Sequence, residues 1–462
     1  MKNHFLLIAS IAITLTISAQ KVGIGTTAPN ASAMLDVNST TKGVLLPRMT
    51  TAQRNAITSP ALGLLVFDTD KGTLYLYDGD QWLPMLVATN TLTGIAANNS
   101  VAGDFFGNSV AISGNYAVIG APAKTVGGHI YQGSAYIFFK NGNTWLQQQE
   151  LLQGDGAEGD FFGSAVAING TTTVIGAYNK TENGYAGHGA AYVFNLVGST
   201  WTMQKKLLSP GLQQDENFGK AVSAVGNKVL VGAPKKNTAG DIIGGAYIFT
   251  NNAGTWSSHD LVPNNSIGLS NFGYTVSISA NLAVVGAGGR SSVFVYFLSN
   301  NSWTFLIEIK PADVTQNDAF GSSVAAGEDY IVVGAPNKTI GTNANQGAVY
   351  VLTPTSPVAY LQQKLTASDG AADDHLGISV ATQTNYIVAG ASGRTIKNKL
   401  NQGAAYVFFN NAGVWKQQQK IISGDGTADN YFGASTGVSG SFVIIGASGK
   451  DSNKGGVYFV GL

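Results

Sequence analysis

Pairs of aspartates five residues apart are the side chains in this sequence best spaced to hold a cation. They are Asp155 with Asp160, Asp313 with Asp318, and Asp369 with Asp374; Asp425 stands in the same relation to Asn430. Carboxylate oxygens converging from one short loop are what a hard ion such as calcium requires. The same spacing suits turn chemistry, in which Asp accepts from nearby backbone N–H groups. The residues leave both readings open. The histidines offer less. Apart from His4, they are His129, His188, His259 and His375, and no two lie at metal-ligand spacing. His129 and His188 occupy equivalent loops of neighbouring units, where exposed side chains are expected. The one Gly-x-Ser-x-Gly match, Gly433–Gly437, falls in the strand-one stretch of the seventh unit and not at a strand-to-helix elbow; no phosphate loop occurs, and Gly23-x-Gly25 lacks a surrounding βαβ unit. The expected inventory is therefore empty: no catalytic residue, no cofactor-binding residue, no metal ligand and no cofactor.

Bulk composition narrows the class. Charged residues make up 11% of the 462, and Lys+Arg and Asp+Glu balance at 26 each. So even a charge balance gives little attraction for nucleic acid. There are no cysteines, which removes disulfides and thiolate chemistry. Fifty-nine glycines and many aromatics fit an all-β chain full of turns.

The positioning elements come from an internal repeat. Phe-Gly recurs at 106–107, 162–163, 218–219, 272–273, 320–321 and 432–433, with Leu376-Gly377 in the sixth place. From Gly107 to Gly120 is thirteen residues, and the same interval leads to Gly176, Gly232, Gly286, Gly334, Gly390 and Gly446, each followed by Ala. An aromatic strand comes next, as in Tyr136-Ile137-Phe138 and Tyr192-Val193-Phe194. Trp145, Trp201, Trp256, Trp303 and Trp415 open a fourth, more polar strand, with Tyr360 in the fifth unit. Polar outer strands discourage edge pairing. Four short antiparallel strands repeated seven times predict a seven-bladed β-propeller over residues 88–462.

The seventh unit reaches Leu462 without a fourth landmark. A ring needs a fastener, so the segment near residues 89–97, centred on Thr91-Leu92-Thr93-Gly94-Ile95, is expected to pair onto the last blade.

These landmarks resemble the FG-GAP repeat, the blade unit of integrin alpha-chain propellers and of many bacterial exported proteins. Gly120-Ala121-Pro122, Gly232-Ala233-Pro234 and Gly334-Ala335-Pro336 match its second half in full; Tyr178, Gly288, Ser392 and Ser448 replace the proline elsewhere. The resemblance implies a calcium loop between strands one and two. Here that place holds Ser113-Gly114-Asn115, Asn169-Gly170-Thr171 and Ser439-Gly440-Ser441, too poor in carboxylates for the ion. The family's calcium sites do not carry over.

Residues 1–19 read as a signal peptide: Lys2, an apolar run from Phe5 to Ile17, then small residues before Gln20. That run is too short for a comfortable membrane span. Residues 20–87 form a separate leader. Val22-Gly-Ile-Gly-Thr-Thr-Ala-Pro29 and Lys42-Gly-Val-Leu-Leu-Pro-Arg-Met49 resemble leaders of bacterial exported and phage-fibre-like chains. A capping box at Thr50-x-x-Gln53 predicts a helix near Thr51–Ile57. Gly63–Asp68 and Thr73–Tyr77 read as a hairpin, with Trp82 packing locally.

Function follows from topology. In an up-and-down blade, the loops joining strands two to three and four to one share a face. The long ones are here: Ala123–Gln132, Asn179–His188, Lys235–Ile243, Asn337–Gln346 and Ser392–Gln402. Gly288-Gly289-Arg290 leaves a notch in the fourth blade. Long loops on a rigid scaffold carry recognition. The expectation is a secreted or surface-exposed, non-enzymatic adhesion-type module. It would bind a protein or glycan, bind no nucleic acid and not insert in membrane, with the leader available for homo-oligomerisation. A structural part of an exported assembly is the alternative, and a glycan-active hydrolase with carboxylates from different blades is a further one.

Overall fold

The computed structural model describes residues 22–70, 73–77, 79, 82–85, 92, 94–142, 144–238, 241–262, 271–356 and 359–462. The signal-peptide reading falls outside them. The chain forms two compact units, Met1–Val87 and Ala88–Leu462.

In the first unit, Val22–Ile24 pairs in parallel with Leu35–Val37. A four-stranded sheet takes Arg48–Met49, Leu65–Asp68, Thr73–Tyr77 and Trp82–Met85 in that order. The capping box forms as expected: Thr50 accepts from the Gln53 N–H and the Gln53 side chain accepts from Thr50. The helix is shorter than expected, Thr51–Asn55. Ile57 and Thr58 are β-branched and Pro60 cannot continue a helix. Arg54 points inward to Asp68 at 2.9 Å and lies over the Tyr75 ring at 3.7 Å. Trp82 packs on Tyr77, 5.4 Å between ring centroids.

The second unit is a ring of seven antiparallel sheets. Blade 2 is typical, with Phe162–Asn169, Thr172–Ala177, Ala190–Val197 and Thr200–Leu207 in sequential order. Each inner strand packs on the next, and the last, Ser435–Ser439, packs on the first, Ser109–Ser113. The landmark aromatics are core. Phe106, Phe162, Phe218, Phe272, Phe320, Leu376 and Phe432 are fully buried between blades. The outer tryptophans lean on the preceding blade: Trp201 meets Tyr116 edge-on, and Trp145 stacks on Phe459 at 4.2 Å.

Packing explains the two glycines of each repeat. A Cβ on Gly120 would lie 1.9 Å from the Gly163 carbonyl oxygen of the next blade. The same approach joins Gly176 to Gly219, Gly232 to Gly273, Gly286 to Gly321, Gly334 to Gly377, Gly390 to Gly433 and Gly446 to Gly107. The second glycine of each pair also sits near φ +90°, a conformation that side chains disfavour. No larger residue fits either place.

Closure uses the expected segment. Ile95 and Val457 exchange both backbone hydrogen bonds at 2.8 Å. Gly424 donates to the Leu92 carbonyl, and Gly94 donates to Asp425. Thr91 and Thr93 lie outside the described residues. The last blade thus has three strands, Ser435–Ser439, Phe442–Ala447 and Gly456–Gly461, plus this bridge.

Candidate functional site

Both loop families do emerge on one face, and they are laced together. Phe161 and Phe162 at the entry of blade 2 donate to the Tyr131 and Gln132 carbonyls in blade 1. Phe218 donates to His188, Leu376 to Gln346, Phe432 to Gln402 and Phe106 to Lys454. The long loops are therefore not free tethers. Four of them share one internal turn, closed by reciprocal backbone bonds between Val126 and His129, Glu182 and Tyr185, Ile340 and Asn343, and Ile396 and Lys399. Side chains at their tips face solvent, among them Ile130, Tyr131, Tyr185 and Leu400.

The paired aspartates take different jobs. Asp160 accepts from the Ala157 N–H and Asp374 from the Ala371 N–H, which is turn chemistry. The space between the two carboxylates of a pair holds a cation from the protein itself. Lys180 Nζ is 3.0 Å from Asp160 and also donates to the Asp155 carbonyl oxygen. Lys338 repeats this with Asp318 and Asp313. The Arg394 guanidinium spans Asp374 at 2.7 Å and Asp369 at 3.2 Å. Among the described residues, no group of three or more Asp, Glu, His or Cys side chains is gathered closely enough for a metal.

These cations belong to a series that the Phe-Gly and Gly-Ala landmarks do not include. Gly-Ala is followed three residues later by Lys or Arg in every unit: Lys124, Lys180, Lys236, Arg290, Lys338, Arg394 and Lys450. All seven pair with a carboxylate. The signal was legible as a seventh-fold basic position beside Gly-Ala.

The outer aspartate of each pair is tied by the strand-three tyrosine. Tyr192 donates to Asp155 at 2.9 Å, Tyr350 to Asp313, Tyr406 to Asp369 and Tyr458 to Asp425. Burial alone would raise these carboxyls. Hydrogen bonds from Lys206 and Tyr192, with Lys180 nearby, hold Asp155 below the usual range instead. Asp313, Asp369 and Asp425 are lowered by equivalent neighbours. Asp374 goes the other way: its burial outweighs Arg394 and the Ala371 N–H. The tyrosines are pushed far up by burial and by the adjacent carboxylates, so they stay neutral donors.

The histidines need one correction. His129 is exposed as expected. His188 is fully buried, 3.2 Å from Glu216 through Nδ1 and stacked on Phe218. It holds the place that Gln132, Gln346 and Gln402 hold elsewhere, where the loop turns inward to meet the next blade. His259 meets the Trp303 carbonyl and His375 sits in a positive-φ entry position. They do not converge.

On the opposite face the strand-one-to-two turns replace any calcium loop with a hand-to-hand chain. Gly170 donates to Ser113, Gly226 to Asn169, Gly440 to Gln383 and Gly114 to Ser439. Gly114, Gly170, Gly226 and Gly440 all have positive φ at the turn's first position, as a two-residue hairpin demands.

On the long-loop face, three rings stack in a column. Tyr131 and Phe161 are 5.7 Å apart at 11°, and Phe161 and Tyr178 are 5.3 Å apart at 13°. The Lys220 ammonium caps the column 4.2 Å from the Tyr178 centroid. Lys220 also lines an axial cavity of about 260 Å³ bounded by all seven inner strands.

Comparison with known proteins agrees with this architecture. No curated protein matches the chain. Residues 23–99 match the phage tail like trimerisation region. The FG-GAP repeat model matches residues 92–138, 145–194, 201–249, 303–352, 360–408 and 415–460. The stretch between 249 and 303 is unmatched, yet it supplies the strands Phe272–Ile278, Leu282–Ala287 and Ser292–Ser299 of a four-stranded blade. There Phe294 stands in the tyrosine place and carries no hydroxyl to tie the entry loop, and the loop after Ala287 is short. Six matched repeats cover more than half of the sequence and run in register with six of the seven blades, so this chain belongs to the FG-GAP repeat family.

Proposed function

We propose that this protein is an exported, non-catalytic binding module that displays its long-loop face in a trimer. The carrying observation is the laced face itself. Two loop families are bonded to each other around the ring, and the side chains they leave exposed include large apolar and aromatic ones: Ile130, Tyr131, Tyr185, Leu400 and Tyr431. Exposed apolar side chains on a rigid frame suit recognition of a protein or glycan surface. FG-GAP propellers are typically non-catalytic, and the paired carboxylates here are engaged by lysine and arginine rather than free for proton transfer.

The trimer rests on the match of residues 23–99 to a trimerisation region. It is supported by the apolar side chains that the first unit leaves in solvent, including Ile24, Met34, Leu35, Leu45 and Leu62. Three linked faces would raise avidity without any new contact. Light scattering on the chain without residues 1–19 should give three times the monomer mass, and a glycan array should give hits that fall when Tyr185 and Leu400 are replaced by Asp. A monomer would remove the trimer, and hits indifferent to those substitutions would remove the face.

The trimerisation match also favours a second reading, a structural part of an exported fibre-like assembly. In that case the trimer forms but no glycan or protein ligand is retained.

A further inference from the structure

Lys220 is an exception among the cations of the long-loop face. The seven basic residues beside Gly-Ala are each matched to a carboxylate. Lys220 is half-buried and, among the described residues, has no hydrogen bond or ion pair from its ammonium; its neighbour is the Tyr178 ring. Residues 263–270, which precede the next inner strand, contain no Asp or Glu. Burial, and then the charge of Lys235, pull its ammonium below the usual lysine range. A partly desolvated ammonium with no anion beside it is a site for one.

The surroundings narrow the anion. At the place of Lys220 the other inner strands carry Asn108, Ser164, Tyr274, Ser322, Ile378 and Ala434. None is acidic. Ser322 Oγ is enclosed and has no hydrogen-bond partner among the described residues. Tyr274 follows Lys220 by one blade and is 43% exposed, and Tyr131 at the far end of the column is 49% exposed. Aromatic rings beside hydroxyl and amide groups and a partly buried, unmatched cation suit a pyranose that bears an acid: the ring packs on the aromatic, the hydroxyls bond the Ser and Asn side chains, and the carboxylate meets the ammonium. An acidic peptide would use Lys220 but has no need of Tyr274.

We infer that the mouth of the axial cavity beside Lys220, Tyr178 and Tyr274 is a subsite for an acidic sugar, a hexuronate residue within a glycan. This rests on the binding reading of the long-loop face and names its ligand class.

The test uses the full chain without residues 1–19. Calorimetry compares a tetramer of galacturonate, the neutral galactose tetramer and hexaglutamate. The uronate should bind, the neutral sugar at least tenfold more weakly, and binding should weaken at high salt. Lys220→Met keeps the stem over Tyr178 and should lose at least tenfold in affinity; Tyr274→Ala should weaken the uronate severalfold. Unchanged melting temperatures establish that both variants fold. Equal binding of uronate by Lys220→Met overturns the subsite. So does hexaglutamate binding as tightly as the uronate with no effect of Tyr274→Ala, which points to an acidic peptide instead. If no uronate binds while array hits respond to Tyr185 and Leu400, the subsite fails and the binding face stands; if neither is seen, both fail.

Discussion

Ile95 and Val457 donate to each other's carbonyl oxygens at 2.8 Å in both directions. One precedes the first blade and the other lies in the last, so this pair joins the two ends of the propeller. Removing residues 88–98 should therefore destabilise the propeller far more than removing residues 20–80. Ile95→Pro, which deletes one donor and disturbs the other bond, should cost on the order of 1–3 kcal/mol. Urea unfolding of the three variants checks this. Equal midpoints for the two truncations would show that the ring closes without the strap.

The Gly-to-Gly approach between blades should be the least tolerant feature of the fold. Gly390→Ala places a methyl 1.8 Å from the Gly433 carbonyl oxygen, against backbone that cannot turn aside. Overpacking of this kind costs about 1–3 kcal/mol, and the loss here should lie at the upper end or beyond. Gly142→Ala is the control. Its space is open, so only the positive φ of 60° opposes it. Gly390 has no positive φ of its own, so comparable losses for both would mean that the contact with Gly433 costs no more than a strained φ at an open site.

Lys180→Met should leave the buried Asp160 charge without its ammonium. Breaking a buried pair from one side costs about 3–5 kcal/mol. The double variant Lys180→Met with Asp160→Asn should recover part of it, because the stranded charge is gone. A double variant no better than the single one would show that the lysine acts through packing alone. Calcium titrated into the wild-type chain is expected to give no saturable heat, since the ammonium already lies between the carboxylates.

Acid should loosen the propeller below about pH 4. Asp155, Asp313, Asp369 and Asp425 are held lower in the folded chain than an unfolded aspartate. Their stabilisation is present above the unfolded value and is lost as pH falls through the lower folded ones. Asp374 is raised, so its sign is opposite: its charged form opposes folding above the raised value, and protonation relieves this. Four groups act in the first sense and one in the second. Urea midpoints measured from pH 6 to pH 2.5 should fall, and Asp155→Asn should flatten part of the slope. A flat profile would mean that the tethers contribute nothing to stability.

Blade number, strand order and the closing segment were legible in the sequence because they depend on local requirements repeated in register. A glycine that must face a carbonyl, a phenylalanine that must fill a blade interface and a two-residue turn each dictate a residue type at a fixed interval. The chain alone therefore determined a seven-bladed FG-GAP propeller and the face on which its long loops emerge. What the loops do was decided by contacts between units. Lys180 meets Asp160 and Asp155 only when the loop after strand two folds back over its own blade's entry. His188 is buried only because blade 3 brings Glu216 and Phe218 against it. The column from Tyr131 to Lys220 draws on blades 1, 2 and 3, whose residues share no spacing in sequence. A periodic sequence specifies what recurs, whereas the departures from the period take their roles from neighbours that only the closed ring supplies.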